Sequence, residues 1–236
     1  MYLYYSKERG DGNGGLVGIF FDKILIALFA ALLLACGGRE RNDGVENQRS
    51  GSWTGQERSF LVNGLKKVQT DLQKEVAELN EAQWFFKPDT NAWSISEVVE
   101  HLEVHDELFR REITVITQFP EMTHLSHLAT DKDEDLLAYS QITDQNIAKA
   151  PWYLEPLGRW SSGEDALNAF NRVRDQLIRF IRETDKDLRK YYSPSGKGEA
   201  AYRDLHQLML VSIAHANRHL EQIRRIKNHP DFKALR

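Results

Sequence analysis

His215 and His219, in the stretch SIAHANRHLEQI, are spaced to aim two imidazoles at one metal ion, because residues i and i+4 of an α-helix lie one turn apart on the same face. A third ligand must come from another segment. WSISEVVEHLEVH supplies His101 and, one turn further on, His105, and an antiparallel neighbouring helix is the simplest geometry that brings either of them close. Three protein nitrogens would leave one or more coordination positions open to water or substrate, which is the catalytic rather than the structural pattern. Neutral nitrogen ligands suit Zn²⁺, Ni²⁺ or Fe²⁺.

Helices must carry these residues, and apolar spacing by three and four recurs along four segments. The first predicted helix covers 56–83, with Phe60, Leu61, Leu65, Val68, Leu72, Val76 and Leu79 on its stripe, and ends before Lys87-Pro88. Ser94 and Glu97 form an S-x-x-E capping box that opens the second, which carries Val98, Leu102, Phe109 and Ile113 and stops before Pro120. The third starts at Ser161 or Ser162 and carries Ala166, Phe170, Val173, Leu177 and Ile181. The fourth covers 199–228, before Pro230. Residues 118–160 form a long crossover with a short helix over 133–147, and Trp152, Tyr153 and Trp160 are available to pack over the bundle. Connections of that length carry function or cover something. No strand alternation and no internal repeat stands out, so the fold class is all-α, a four-helix bundle.

On a helical wheel His219 falls within the stripe of Leu205, Met209, Ser212, Ala216, Leu220 and Ile223, and His215 lies at its edge. A buried imidazole there needs a partner. In the second helix both His101 and His105 flank the stripe, so the wheel alone does not choose between them.

The N-terminal part has a different character. Residues 24–35, ILIALFAALLLA, are almost purely apolar yet too short to span a bilayer, and they read as a signal-peptide core preceded by Lys23. Leu33-Leu34-Ala35-Cys36 resembles a bacterial lipobox, in which the cysteine becomes the lipidated first residue of the mature chain. That implies residues 1–36 as a signal peptide, Cys36 as the lipidation site, and a membrane-anchored protein of the cell envelope facing the periplasm or exterior. Residues 1–15 are polar and glycine-rich, a poor signal n-region, which points to a start nearer Leu16 or Val17; an uncleaved anchor over 16–35 is the alternative. Residues 37–55 are polar and nearly free of apolar side chains, a flexible tether, leaving 56–236 as the folded domain. Cys36 is the one cysteine, so no internal disulfide is expected. A net charge of −4 gives no nucleic-acid footprint, and the basic cluster Arg218, Arg224, Arg225 and Lys227 reads as the solvated, dipole-complementing end of a helix.

KPDTNAWSISEVVEHL, with a histidine eight residues after its tryptophan, HANRHLEQI, and more loosely ALNAFNRVRDQLIRFIRETDKDL resemble the DinB-like superfamily of four-helix bundles with a three-histidine metal site. The resemblance covers about residues 56–228. It implies that His101, His215 and His219 are the metal ligands, leaving His105 as a neighbouring or solvent-facing group. His124, His127, His206 and His229 have no supporting motif. The family includes thiol-dependent transferases and isomerases that use small thiols such as bacillithiol or mycothiol, and many members are dimers; no interface can be read here from periodicity. His215-x-x-x-His219-x-Glu221 also resembles the metal domain of ergothioneine-forming sulfoxide synthases, whose chemistry is not expected without their large second domain.

Two expectations follow. One is a metal-dependent enzyme of the envelope, a hydrolase or thiol-dependent transferase acting on a small molecule, with Glu221 and Gln222 as weak claimants to proton handling. The other is a non-catalytic lipoprotein that binds a metal or ligand. Neither a phosphate-binding glycine loop nor a G-x-S-x-G elbow is present, and Cys36 precedes the domain, which disfavours side-chain nucleophilic catalysis.

Overall fold

The computed structural model describes residues 52–138, 150–196 and 200–235. The expected signal segment, the Cys36 lipidation site and the tether up to residue 51 lie outside them. Among the described residues no helix is long and apolar enough to cross a membrane.

Four long helices form the bundle, each started by a side chain that takes up an orphan N–H of the first turn. α1 (Gly55–Val76) is opened by a Thr54–Glu57 capping box. Asn80 builds a second box with Gln83 and starts a separate one-turn helix, α2 (Glu81–Trp84). The single helix expected over 56–83 is therefore two, because the Asn80 side chain competes with the ladder for backbone N–H groups. α3 (Ile95–Ile116) starts at the expected Ser94–Glu97 box. In the crossover lie α4 (Asp133–Ala138), shorter than the helix expected over 133–147, and two 3₁₀ turns, Thr123–Leu128 and Trp152–Leu154. α5 (Gly163–Glu183) is capped by Ser162. Before α6 (Leu205–Asn228) comes a small antiparallel ribbon that the sequence reading did not anticipate, β1 (Tyr192–Ser193) paired with β2 (Arg203–Asp204). Asp204 caps α6 in a box with Gln207, so the helix starts at 205 rather than 199. α7 (Pro230–Ala234) is capped by His229.

Both α1 and α3 pack on α5 and α6, which places α1 and α3 at opposite corners. Cross-helix bonds give the directions. Gln69 reaches Asp175 while Arg58 donates to the Ile181 carbonyl, so α1 and α5 are antiparallel. Trp53 donates to His206 while Arg224 and Lys227 pair with Glu75, so α1 and α6 are parallel. His101 faces His215 while Asp106 faces Ser212, so α3 and α6 are antiparallel. These relations make α3 and α5 parallel, and the chain must travel back along the bundle between them, roughly 33 Å for a helix of this length. That is why the crossover is long.

Leu61, Leu65, Leu72, Ile95, Leu102, Ile113, Phe170, Leu177, Ile181 and Leu205 are fully buried. Phe60, expected on the stripe, is exposed. Trp53, expected in the tether, is buried against the bundle, and its indole donates to His206 Nδ1 at 3.0 Å. Of the three crossover aromatics expected over the bundle, Trp160 packs against the core, whereas Trp152 is 82% exposed and Tyr153 37%. At Gly163 a Cβ would lie 2.1 Å from the Trp84 ring, so the start of α5 can approach α2 only through a glycine.

Candidate metal centre

In the first half of α3 and around the middle of α6, the bundle brings His101, His215 and His219 together, each able to offer one ring nitrogen within 4.8 Å of the others. Nε2 of His215 lies 3.2 Å from Nε2 of His101 and 3.1 Å from Nε2 of His219. Trp93, immediately before the α3 cap, covers one side, its ring 4.9 Å from His101 and stacked at 6.2 Å on His219.

The far side of two rings decides which nitrogen carries the proton. His101 Nδ1 is 2.7 Å from the Leu154 carbonyl, which can only accept, so the proton sits on Nδ1 and Nε2 is bare. His219 Nδ1 stands in the same relation to Gln222 Oε1, also at 2.7 Å. Two bare Nε2 lone pairs therefore converge on His215. The most that the protein alone can supply between them is one shared N–H from His215, whereas a cation takes a lone pair from all three.

Burial is the main reason that these imidazoles resist protonation, with the neighbouring rings and Arg218 adding to it. It takes His101 down to about 4 against the opposing pull of the Leu154 carbonyl, His219 to about 3, and His215 well below the usual histidine range. At neutral pH all three are neutral, which is the ligating form.

Of the two places expected for His105, beside the cluster or facing solvent, the structure shows the first. The residue is buried at 7% exposure, stacked 4.0 Å from the His215 ring and 4.2 Å from Phe109. At this level α3 is covered on its bundle face by α6 and on its outer side by the returning crossover, so every residue from Val98 to Leu102 is buried. Next to it, Asp106 accepts from Ser212 Oγ at 3.1 Å, and its other oxygen lies 2.8 Å from Nε of Arg174, the largest fully buried side chain. Nη1 and Nη2 of Arg174 have no hydrogen-bond partner among the described residues.

Of the two residues considered for proton handling, Glu221 is exposed and paired with Arg224, whereas Gln222 touches the cluster through His219. His124 and His127 are exposed on the crossover, His206 accepts from Trp53, and His229 caps α7; none joins the site. The contacts of Leu154 with His101 and of Gln222 with His219 are not part of the sequence reading. Gln222 is three residues from His219, a helical neighbour that spacing could have found; a backbone carbonyl on the crossover leaves no residue-type signal.

The family model of the DinB superfamily matches residues 65–223, a span that contains all three histidines and all four bundle helices in whole or large part. The chain belongs to the DinB superfamily. Among solved structures, YfiT from Bacillus subtilis, described as "a probable metal-dependent hydrolase with an unusual four-helix bundle topology", aligns at 15% identity over 81% of this chain and 93% of its own, with a TM-score of 0.44. No curated protein matches the sequence. Within this DinB-superfamily bundle, the chemistry open to the site is that of three neutral imidazoles of which two have their outer N–H groups held in place.

Proposed function

We propose that this DinB-superfamily protein is a metal-dependent enzyme in which His101, His215 and His219 hold a divalent transition metal, Zn²⁺, Ni²⁺ or Fe²⁺. The observation that carries this reading is the convergence of three Nε2 atoms at 3.1 and 3.2 Å while Nδ1 of His101 and of His219 is tied to an oxygen acceptor. An apolar bundle has no reason to gather bare lone pairs unless a cation or a proton binds them, and burial disfavours the proton. Three neutral imidazoles would leave the charge of a bound divalent ion uncompensated, and the chemistry that such an ion would supply is Lewis-acid polarisation of a substrate atom.

The protein's own part is positional. Leu154 and Gln222 fix the tautomers and orient the rings, which also raises their basicity toward a cation. Trp93 shields one side from water. The reaction proposed is hydrolysis of a small molecule, with thiol-dependent transfer as the finer alternative; an envelope location, inferred from the lipobox-like Leu33-Leu34-Ala35-Cys36, would remove the protein from cytosolic thiols and favours hydrolysis.

Elemental analysis of the full chain, purified without a polyhistidine tag, tests the metal reading beside a triple His101→Ala, His215→Ala, His219→Ala variant. Near-stoichiometric transition metal in the parent and none in the variant is expected. A folded parent that is metal-free and takes up no added Zn²⁺, Ni²⁺ or Fe²⁺ would overturn it. For the envelope reading, the full chain should incorporate labelled palmitate in a bacterial host and Cys36→Ser should abolish that labelling; a parent that takes up no label would count against it.

A further inference from the structure

Glu100 precedes His101 in sequence but takes no part in the histidine cluster. Its carboxylate is buried at 1% exposure on the outer side of α3, where it gathers four donors from one short stretch of the crossover. Oε1 accepts from the Leu157 N–H at 2.9 Å and from Arg159 Nε at 2.9 Å, and Oε2 accepts from the N–H groups of Gly158 at 2.9 Å and Arg159 at 3.1 Å. The guanidinium of Arg159 also reaches Glu103 at 2.6 Å. All four partners are N–H donors, so the carboxylate serves both its oxygens purely as acceptors. The stretch can present three successive N–H groups because Gly158 adopts φ +68°, a conformation that L side chains rarely take.

Three residues before this grip lies Leu154, whose carbonyl receives the Nδ1–H of His101. Consecutive residues of α3 thus hold the same loop at two points, Glu100 by its backbone donors and His101 by a backbone acceptor. Leu154 itself and Trp160 are the apolar anchors of the loop; between them Leu157 is exposed, and the backbone of 157–159 is held by directed hydrogen bonds to Glu100.

We propose that Glu100 is a positioning residue for the metal centre: by clamping residues 157–159 it holds the Leu154 carbonyl against His101 Nδ1 and so sets the tautomer and ring orientation of that ligand. This rests on the three-histidine metal reading. Groups one step removed from a metal ligand typically change affinity by about 10- to 100-fold when lost, and the clamp acts through the loop, so the lower end applies.

The test uses the full chain stripped of metal, titrated with Zn²⁺ against a competing chromogenic chelator and with Co²⁺ by its visible absorption, which reports ligand geometry. Glu100→Ala should weaken Zn²⁺ binding about tenfold and alter the Co²⁺ spectrum. Glu103→Ala, which removes an acidic partner of the same Arg159 but no loop backbone bond, should leave both unchanged. Should Glu100→Ala fail to fold, Gly158→Pro decides: it deletes one clamped N–H and forbids the positive φ in a loop outside the core, and it should reproduce both effects. Parental affinity and spectrum in the folded Glu100→Ala chain, or in Gly158→Pro where that variant decides, would overturn the proposal. A parent that binds neither ion overturns the metal reading itself, a distinct result.

Discussion

Replacing Arg174 by methionine would leave the Asp106 carboxylate as an uncompensated charge inside the bundle. The two groups are 0% and 1% exposed and 2.8 Å apart. At an effective dielectric of about 20 their attraction is roughly 6 kcal/mol, but desolvating both ions consumes most of that. Burial lowers the Arg174 pKa by more than Asp106 raises it, the same balance seen from the guanidinium's side. Removing one partner forfeits the attraction and keeps the desolvation penalty of the other, so each of Arg174→Met and Asp106→Leu should cost about 3 to 5 kcal/mol. For a chain of this size that lowers Tm by roughly 10 °C. The double variant restores neutrality with side chains of similar volume and should recover most of the loss. Urea unfolding of the metal-free chain, with m-values compared, gives the four corners of the cycle and avoids metal-linked stabilisation. Single losses under about 1 kcal/mol, or a double variant as destabilised as the sum of the singles, would refute the reasoning.

Three further outcomes are expected. In the metal-free chain the lowered pKa values of His101 and His219 contribute stability that is fully present above about pH 6.5 and is lost as pH falls toward about 4 for His101 and about 3 for His219, because the unfolded chain takes up protons first; denaturation at pH 7, 6 and 5 should show that slope, and the triple alanine variant should flatten it. Gln222→Ala frees the His219 ring and should weaken Zn²⁺ affinity about tenfold in chelator competition with little change in fold, and unchanged affinity would exclude Gln222 as an orienting group. Gly163→Ala places a Cβ 2.1 Å from the Trp84 ring and should destabilise the chain by about 1 to 3 kcal/mol in thermal unfolding, which a parental Tm would contradict.

Much of the bundle was legible locally. Ser94 with Glu97, and Ser162, announced helix starts because caps act over three residues. Asp204 with Gln207 is the same kind of signal for α6, lying inside the range 199–228 that the apolar pattern marks. The Asn80 break hardly disturbs a 3.6-residue period, because a single side chain competes for the backbone N–H groups, and strands of two residues are too short to show an alternation.

For the site, the pairing of His215 with His219 followed from helix geometry alone, and the family motif singled out His101. The distinction between His101 and His105 was beyond the wheel, since both flank one stripe. It is decided where α6 crosses α3: His101 meets His215 edge on through Nε2, while His105 lies flat against the same ring. The burial of Glu100 and His105, the Asp106–Arg174 pair and the Leu154 carbonyl at His101 all depend on parallel α3 and α5, whose connection must return along the bundle and cover the outer side of α3. Sequence patterns record which face of a helix is apolar and which residues repeat along it; which polar groups from distant segments meet is set by the direction and packing of whole helices, and that order exists only once the chain has closed on itself.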